Sequence, residues 1–118
     1  MSTVARLRTG ILGLAAILAV AFLGACGGQS LSDITPEIGV DQVAVEDSRF
    51  EPRVIQVHRG TTVTWTWTGD RDHNVVGEGF QSDLQSEGTF THTFDTMGSF
   101  RYLCTLHGGM TGAVIVTE

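Results

Sequence analysis

The chain has no lysine. Seven arginines carry all its fixed positive charge against thirteen aspartates and glutamates, a formal net charge of −6 over 118 residues. So few cations argue against a nucleic-acid backbone as ligand and against electrostatic attraction to anionic lipid. Cysteine occurs twice, at Cys26 and Cys104, too sparsely for a disulfide-stapled scaffold. No stretch after residue 26 sustains a helical period, which excludes a helical bundle. The longest apolar run, residues 11–23, has 13 residues against the roughly 20 a spanning helix needs.

That short run has its own meaning. Arg6 and Arg8 precede it, and Leu23-Gly24-Ala25-Cys26 follows it. A basic start, a short apolar segment and small residues before a cut are the parts of an export signal. Leu-Gly-Ala-Cys resembles a bacterial-type lipobox, which implies cleavage before Cys26 and lipid on its thiol. The expected organisation is a lipoprotein signal peptide over residues 1–25, a lipid-anchored flexible tether over 26–40 and one domain over 41–118. Two acyl chains suffice for stable anchoring, where one is marginal. The expected location is therefore the outer face of the cytoplasmic membrane. Without its signal the chain keeps five arginines against thirteen acids, a formal −8. With Cys26 acylated, Cys104 has no disulfide partner, and a lone thiol in an oxidising compartment calls for another role such as metal ligation.

From residue 41 the pattern has period two, the mark of half-buried strands. Val43 and Val45 alternate with polar or small neighbours. Val63, Trp65 and Trp67 share one face, while Thr62, Thr64, Thr66 and Thr68 take the other. Phe90, His92 and Phe94 alternate with threonines, Phe100, Tyr102 and Cys104 share parity, and residues 113–117 are β-branched-rich. Turn signals separate these runs at Asp47-Ser48, Arg59-Gly60, Gly69-Asp70, Gly77-Glu78-Gly79 and Met97-Gly98. Short strands with glycine-rich turns predict an all-β, antiparallel sandwich or barrel. So small a core gains from a metal staple.

The chemistry is concentrated near the end. Cys104, His107 and Met110 stand at C-x-x-H-x-x-M spacing, a thiolate, an imidazole and a thioether within seven residues. Sulfur donors select copper, and two histidines, one cysteine and a weak axial methionine make the blue-copper type of site. The missing histidine can come from His73, which follows the turn at Gly69-Asp70 and is expected to begin a strand, His73-Asn74-Val75-Val76. Gly108 and Gly109 let the chain double back so that the three side chains converge. His58, at a strand end, is expected to be solvated. His92, between two phenylalanines, is expected to pack. Trp65 and Trp67 are expected in the core.

Four segments together, Phe50-Glu-Pro52, Val63-Thr-Trp-Thr-Trp67, Asp72-His73-Asn74-Val75 and Tyr102-Leu-Cys104-Thr-Leu-His107-Gly-Gly-Met110-Thr-Gly112, resemble the plastocyanin/amicyanin/halocyanin family of blue copper proteins. The resemblance covers roughly residues 40–118. It implies a cupredoxin-like Greek-key β-sandwich of about seven to eight strands. It implies one copper ion on His73, Cys104, His107 and Met110, with Asn74 steadying the site through a hydrogen bond near the cysteine. It also implies a monomeric one-electron carrier cycling between Cu(II) and Cu(I), meeting a redox donor and acceptor transiently. His107 would be the exit port, with Leu106, Gly108 and Gly109 as the docking surface around it.

Three other roles use similar donors. A copper carrier handing its ion to another protein would use the same ligands with labile binding. Zinc accepts cysteine and two histidines as well. A multicopper enzyme needs histidines beside the cysteine to reach further coppers. Leu103 and Thr105 stand there instead, so a non-enzymatic role is expected.

Overall fold

The computed structural model describes residues 30–118. The expected signal peptide and Cys26 lie outside the described residues. The fold is two β-sheets face to face. Strands β1 (Glu37–Ile38), β4 (Val54–His58), β6 (Val76–Gly77), β7 (Phe80–Gln81), β9 (Gly98–Leu103) and β10 (Thr111–Thr117) form one sheet in the order β1-β4-β10-β9-β6-β7. Strands β2 (Gln42–Val45), β3 (Phe50–Glu51), β5 (Thr61–Trp67) and β8 (Thr89–Phe94) form the other, ordered β3-β2-β5-β8. Six strands have four residues or more and four short pieces have two each, so the expected count of seven to eight becomes ten among the described residues. Among the described residues the helical content is one 3₁₀ turn at Leu31–Asp33.

The alternations foretell burial. In β5, Val63, Trp65 and Trp67 point inward and the threonines between them outward. Trp65 has no exposed surface and sits at the centre of the sandwich. It meets Tyr102 of the opposite sheet edge to face at 5.4 Å between ring centroids, and Phe80 at 5.8 Å. Tyr102 in turn meets Phe50 at 4.8 Å. Offset and edge-to-face contacts of this kind add about 0.5–1.5 kcal/mol each beyond the area they bury.

The pairing departs from the antiparallel expectation. β4 runs parallel to β10, β2 to β5 and β1 to β4. Because the chain passes from one sheet to the other between β4 and β5, neighbours within a sheet need not be joined by hairpins, and parallel pairs become accessible. Residues 37–40, expected within the tether, also belong to the sandwich. Glu37 and Ile38 pair with Ile55 and Gln56, and Val40 packs on the core. The expected strand at 73–76 shrinks to Val76–Gly77. His73 makes a single antiparallel bridge with Gln85, and the Val75 N–H is taken by the Ser82 hydroxyl at 2.8 Å, so a side chain interrupts the backbone ladder there.

Candidate metal centre

Two segments meet at one end of the sandwich. The first leaves β9 at Cys104 and returns to β10 after Met110. The Cys104 N–H bonds to the Met110 carbonyl at 3.0 Å, and the Met110 N–H to the His107 carbonyl at 3.3 Å. The loop therefore closes on itself, with all three donor residues at its closure. Of its two glycines only Gly109 has a left-handed backbone, at φ 81°, which a side chain would strain.

The second segment carries His73, which has no exposed surface. Its N–H donates to the Gln85 carbonyl at 2.9 Å and its carbonyl accepts from the Gln85 N–H at 3.1 Å. The Trp67 indole N–H donates to the same carbonyl at 3.1 Å. The strand β5 tryptophan, foreseen only as core, thus also fixes the histidine's backbone.

Cys104 Sγ lies 3.7 Å from His73 Nδ1 and 3.6 Å from His107 Nδ1. All three donor atoms lie within 4.8 Å of one another, and the two imidazoles are 4.6 Å apart between centroids. A metal about 2.3 Å from a thiolate and about 2.0 Å from an imidazole nitrogen, with about 110–120° between the bonds, sets those donors roughly 3.5–3.7 Å apart. The two sulfur–nitrogen spacings fall in that range. Cys104 and Met110 are 3% and 2% exposed, while His107 is only half-buried. Thiolate, two imidazoles and a buried thioether residue fit copper by their chemistry.

Asn74 joins the two segments. Its Oδ1 accepts the Thr105 N–H at 2.8 Å, and its Nδ2 donates to Thr105 Oγ1 at 2.9 Å. The expected hydrogen bond near the cysteine is present, made to the residue that follows it. Leu106, Gly108 and Gly109 are exposed around His107. His58 and His92 stand apart from the cluster: His58 is exposed beside the Glu118 carbonyl, and His92 stacks on Phe80 at 4.8 Å.

One neighbour escapes a reading of the sequence. Asp47, in the β2–β3 turn, lies beside His73 with Oδ1 3.5 Å from Nε2. The same oxygen accepts the N–H groups of Asp70 and Arg71 at 2.8 and 2.9 Å. The Arg71 N–H is the foremost influence holding the Asp47 carboxyl below the usual carboxylate range. Desolvation opposes it, and the Asp70 N–H and His73 reinforce it. Asp47-Ser48 carries only a turn signal, and no local pattern links residue 47 to residue 73.

Comparison with known proteins agrees with this geometry. A family model for copper-binding proteins of the plastocyanin/azurin family matches residues 38–117. Halocyanin of Natronomonas pharaonis is 49% identical over 100 residues, covering 71% of this chain and 61% of the halocyanin, so the chain spans about three fifths of that relative. Amicyanin-alpha of Methylorubrum extorquens is 32% identical over 111 residues, covering 87% of this chain and 92% of the amicyanin. Among solved structures, a purple cupredoxin from Nitrosopumilus maritimus superposes with a TM-score of 0.61 at 25% identity, over 66% of this chain and all of that one. A copper-containing nitrite reductase from Thermus scotoductus, at 22% identity and a TM-score of 0.58, covers 71% of this chain and 23% of its own, and shares the fold.

Proposed function

Since the chain belongs to the plastocyanin/azurin family of copper-binding proteins, we propose that it carries single electrons between redox proteins, with His73, Cys104, His107 and Met110 holding one copper ion. The observation that carries this reading is one thiol sulfur 3.6–3.7 Å from each of two imidazole nitrogens, buried except along His107. Bound copper supplies a one-electron couple between Cu(II) and Cu(I).

The protein's part is to hold the donors still. Cys104 hangs from the end of β9, His73 is pinned by Gln85 and Trp67, and Asn74 locks the segments together. Donors that keep their places suit both oxidation states and keep rearrangement small. Burial of Cys104 and Met110 keeps water from the thiolate. His107 is the half-open edge, so electrons pass through its ring. Leu106, Gly108 and Gly109 form the small surface on which a donor and an acceptor dock in turn, and transient redox encounters use interfaces of low area.

Residues 1–25 act as an export signal and Cys26 bears the lipid, which places the domain on the outer face of the cytoplasmic membrane. The lipobox-like Leu-Gly-Ala-Cys supports this, and no helix among the described residues is long and apolar enough to cross a membrane. The chain works as a monomer, as the family resemblance implies, and it transforms no substrate, since Leu103 and Thr105 occupy the places beside Cys104 where a relay to further copper would begin.

Adding Cu(II) to the purified protein tests the reading. An intense thiolate-to-copper band and a reversible one-electron wave are expected, and a colourless protein overturns it. Rapid stoichiometric loss of Cu(I) to a competing chelator would make the protein a carrier of the ion instead.

A further inference from the structure

We propose that Asp47 is a positioning residue of the metal centre, holding the His73 ring by Nε2 so that Nδ1 is the nitrogen presented beside Cys104. The inference rests on the copper reading above and adds a residue outside the four donors and Asn74.

Two independent features support it. The first is where the carboxylate points. A single oxygen, Asp47 Oδ1, gathers the N–H groups of Asp70 and Arg71 and faces His73 Nε2 at 3.5 Å. The two amide bonds fix that oxygen in the loop just ahead of His73. The contact to the ring is long, and it draws its strength from the charge of the acceptor. The opposite ring nitrogen, Nδ1, faces Cys104 Sγ at 3.7 Å. A neutral imidazole has one N–H and one lone pair, and the partner of one nitrogen decides which is which. A carboxylate accepts only, so Asp47 draws the proton to Nε2 and leaves the Nδ1 lone pair free for a metal.

The second is the space cleared for it. A Cβ on Gly69 would lie 2.1 Å from Asp47 Oδ1 and 2.6 Å from its Cγ. Gly69 does not have a left-handed backbone, so alanine would fail there on contact with Asp47, severely at the carboxylate and more mildly at the backbone nitrogen, 3.0 Å away. Glycine at position 69 therefore serves the close approach of the carboxylate to the loop.

Histidines that bind metals commonly pass their other N–H to a carboxylate or carbonyl, and loss of that partner lowers metal affinity about 10–100-fold. The negative charge behind His73 makes its imidazole a better donor and favours Cu(II) over Cu(I). D47A is expected to lower Cu(II) affinity 10–100-fold, to lower Cu(I) affinity less, and so to raise the reduction potential. D47N keeps an acceptor oxygen for all three N–H groups and removes only the charge, so its potential should rise while its His73 tautomer stays as in the parent.

Long-range ¹H–¹⁵N spectra of the full-length protein, metal-free and Cu(I)-loaded, read that tautomer directly. The parent should show the Nε2–H form at His73, and D47A a mixture of forms or faster exchange of that proton. G69A should reproduce the D47A pattern without altering the carboxylate, and the G69A/D47A double variant should be no worse than D47A alone. Unchanged potential and unchanged His73 exchange in D47A, D47N and G69A, with the copper band intact in the parent, would overturn the role of Asp47 and leave the copper reading standing. Absence of the band from the parent would overturn the copper reading itself.

Discussion

The two halves of the metal centre are built in opposite ways. Residues 104–110 form a loop closed by its own backbone, and they bring a sulfur, a nitrogen and a buried thioether residue together within one turn. Residues 72–75 supply one imidazole, and their shape depends on groups outside the segment: Trp67, Gln85, Ser82, Thr105 and Asp47. The first half is exposed over Leu106, Gly108 and Gly109, and the second has no exposed ligand surface at all. A local loop can remain near solvent because its own hydrogen bonds define it. A single histidine that must not move needs a socket. The half that meets partners is therefore self-contained, and the half that meets none is held from several sides.

The sharpest way to break this contrast is to empty each histidine position in turn. H107G and H73G should both lose the intense copper band. Added imidazole should restore it within seconds in H107G, where the vacated place opens to water. In H73G the place is closed, and entry waits on a local opening. An opening that costs about 3 kcal/mol slows entry roughly 10²-fold. Stopped-flow absorbance measures both recoveries, and equal rates would dissolve the distinction between open loop and closed socket.

The next effect concerns the bridge between the halves. N74A removes both bonds to the exposed Thr105, whose N–H and hydroxyl can then turn to water, and should destabilise the metal-free protein by about 1–2 kcal/mol. T105A leaves the backbone bond in place and should lower stability by about 1 kcal/mol. If Asn74 couples the halves through Thr105, the double variant should fall short of the sum by at least about 0.5 kcal/mol in denaturant midpoints. Within the socket alone, W67F deletes the N–H donated to the buried His73 carbonyl, at an expected loss of about 1–2 kcal/mol. A copper band unchanged in W67F beside a shifted one in N74A would locate the tuning in the bridge rather than in the socket.

The same contrast explains what could be read from the chain. The loop is visible because its donors are neighbours: C-x-x-H-x-x-M names a chemistry by spacing. The valine and tryptophan alternation of β5 is visible because burial has period two there. His73 is visible as the histidine that completes the donor set and Asn74 through the resemblance to a known family, and no local period predicts either. The irregular backbone at 73–75 is hidden, since its hydrogen bonds go to the Ser82 hydroxyl and the Gln85 backbone, choices made only after the sheets pack. The parallel pairing of β2 with β5 is hidden for the same reason, because it depends on which sheet each strand joins. Asp47 is the clearest case. An aspartate before a serine reads as a turn, and its partners lie 23 to 26 residues onward.

Tyr102 tests how deeply the self-contained half is rooted. It lies on β9 just ahead of Cys104, fully packed against Trp65 and Phe50. Burial drives its phenol well above the ordinary value of 10.0, opposed by the nearby Trp65 indole. The folded protein therefore keeps this proton at a pH where the unfolded chain releases it. Above pH 10 the folded state binds more protons than the unfolded, so stability falls as pH rises. The full slope for one group is about 1.4 kcal/mol per pH unit. Y102F removes that group, so the stability difference between Y102F and the parent should be flat up to about pH 9.5 and then move toward the variant. Denaturant titrations of the metal-free proteins from pH 8 to 11 measure it. A difference that stays flat throughout would mean that the phenol reaches solvent, and that the strand carrying Cys104 is less firmly seated than its packing implies.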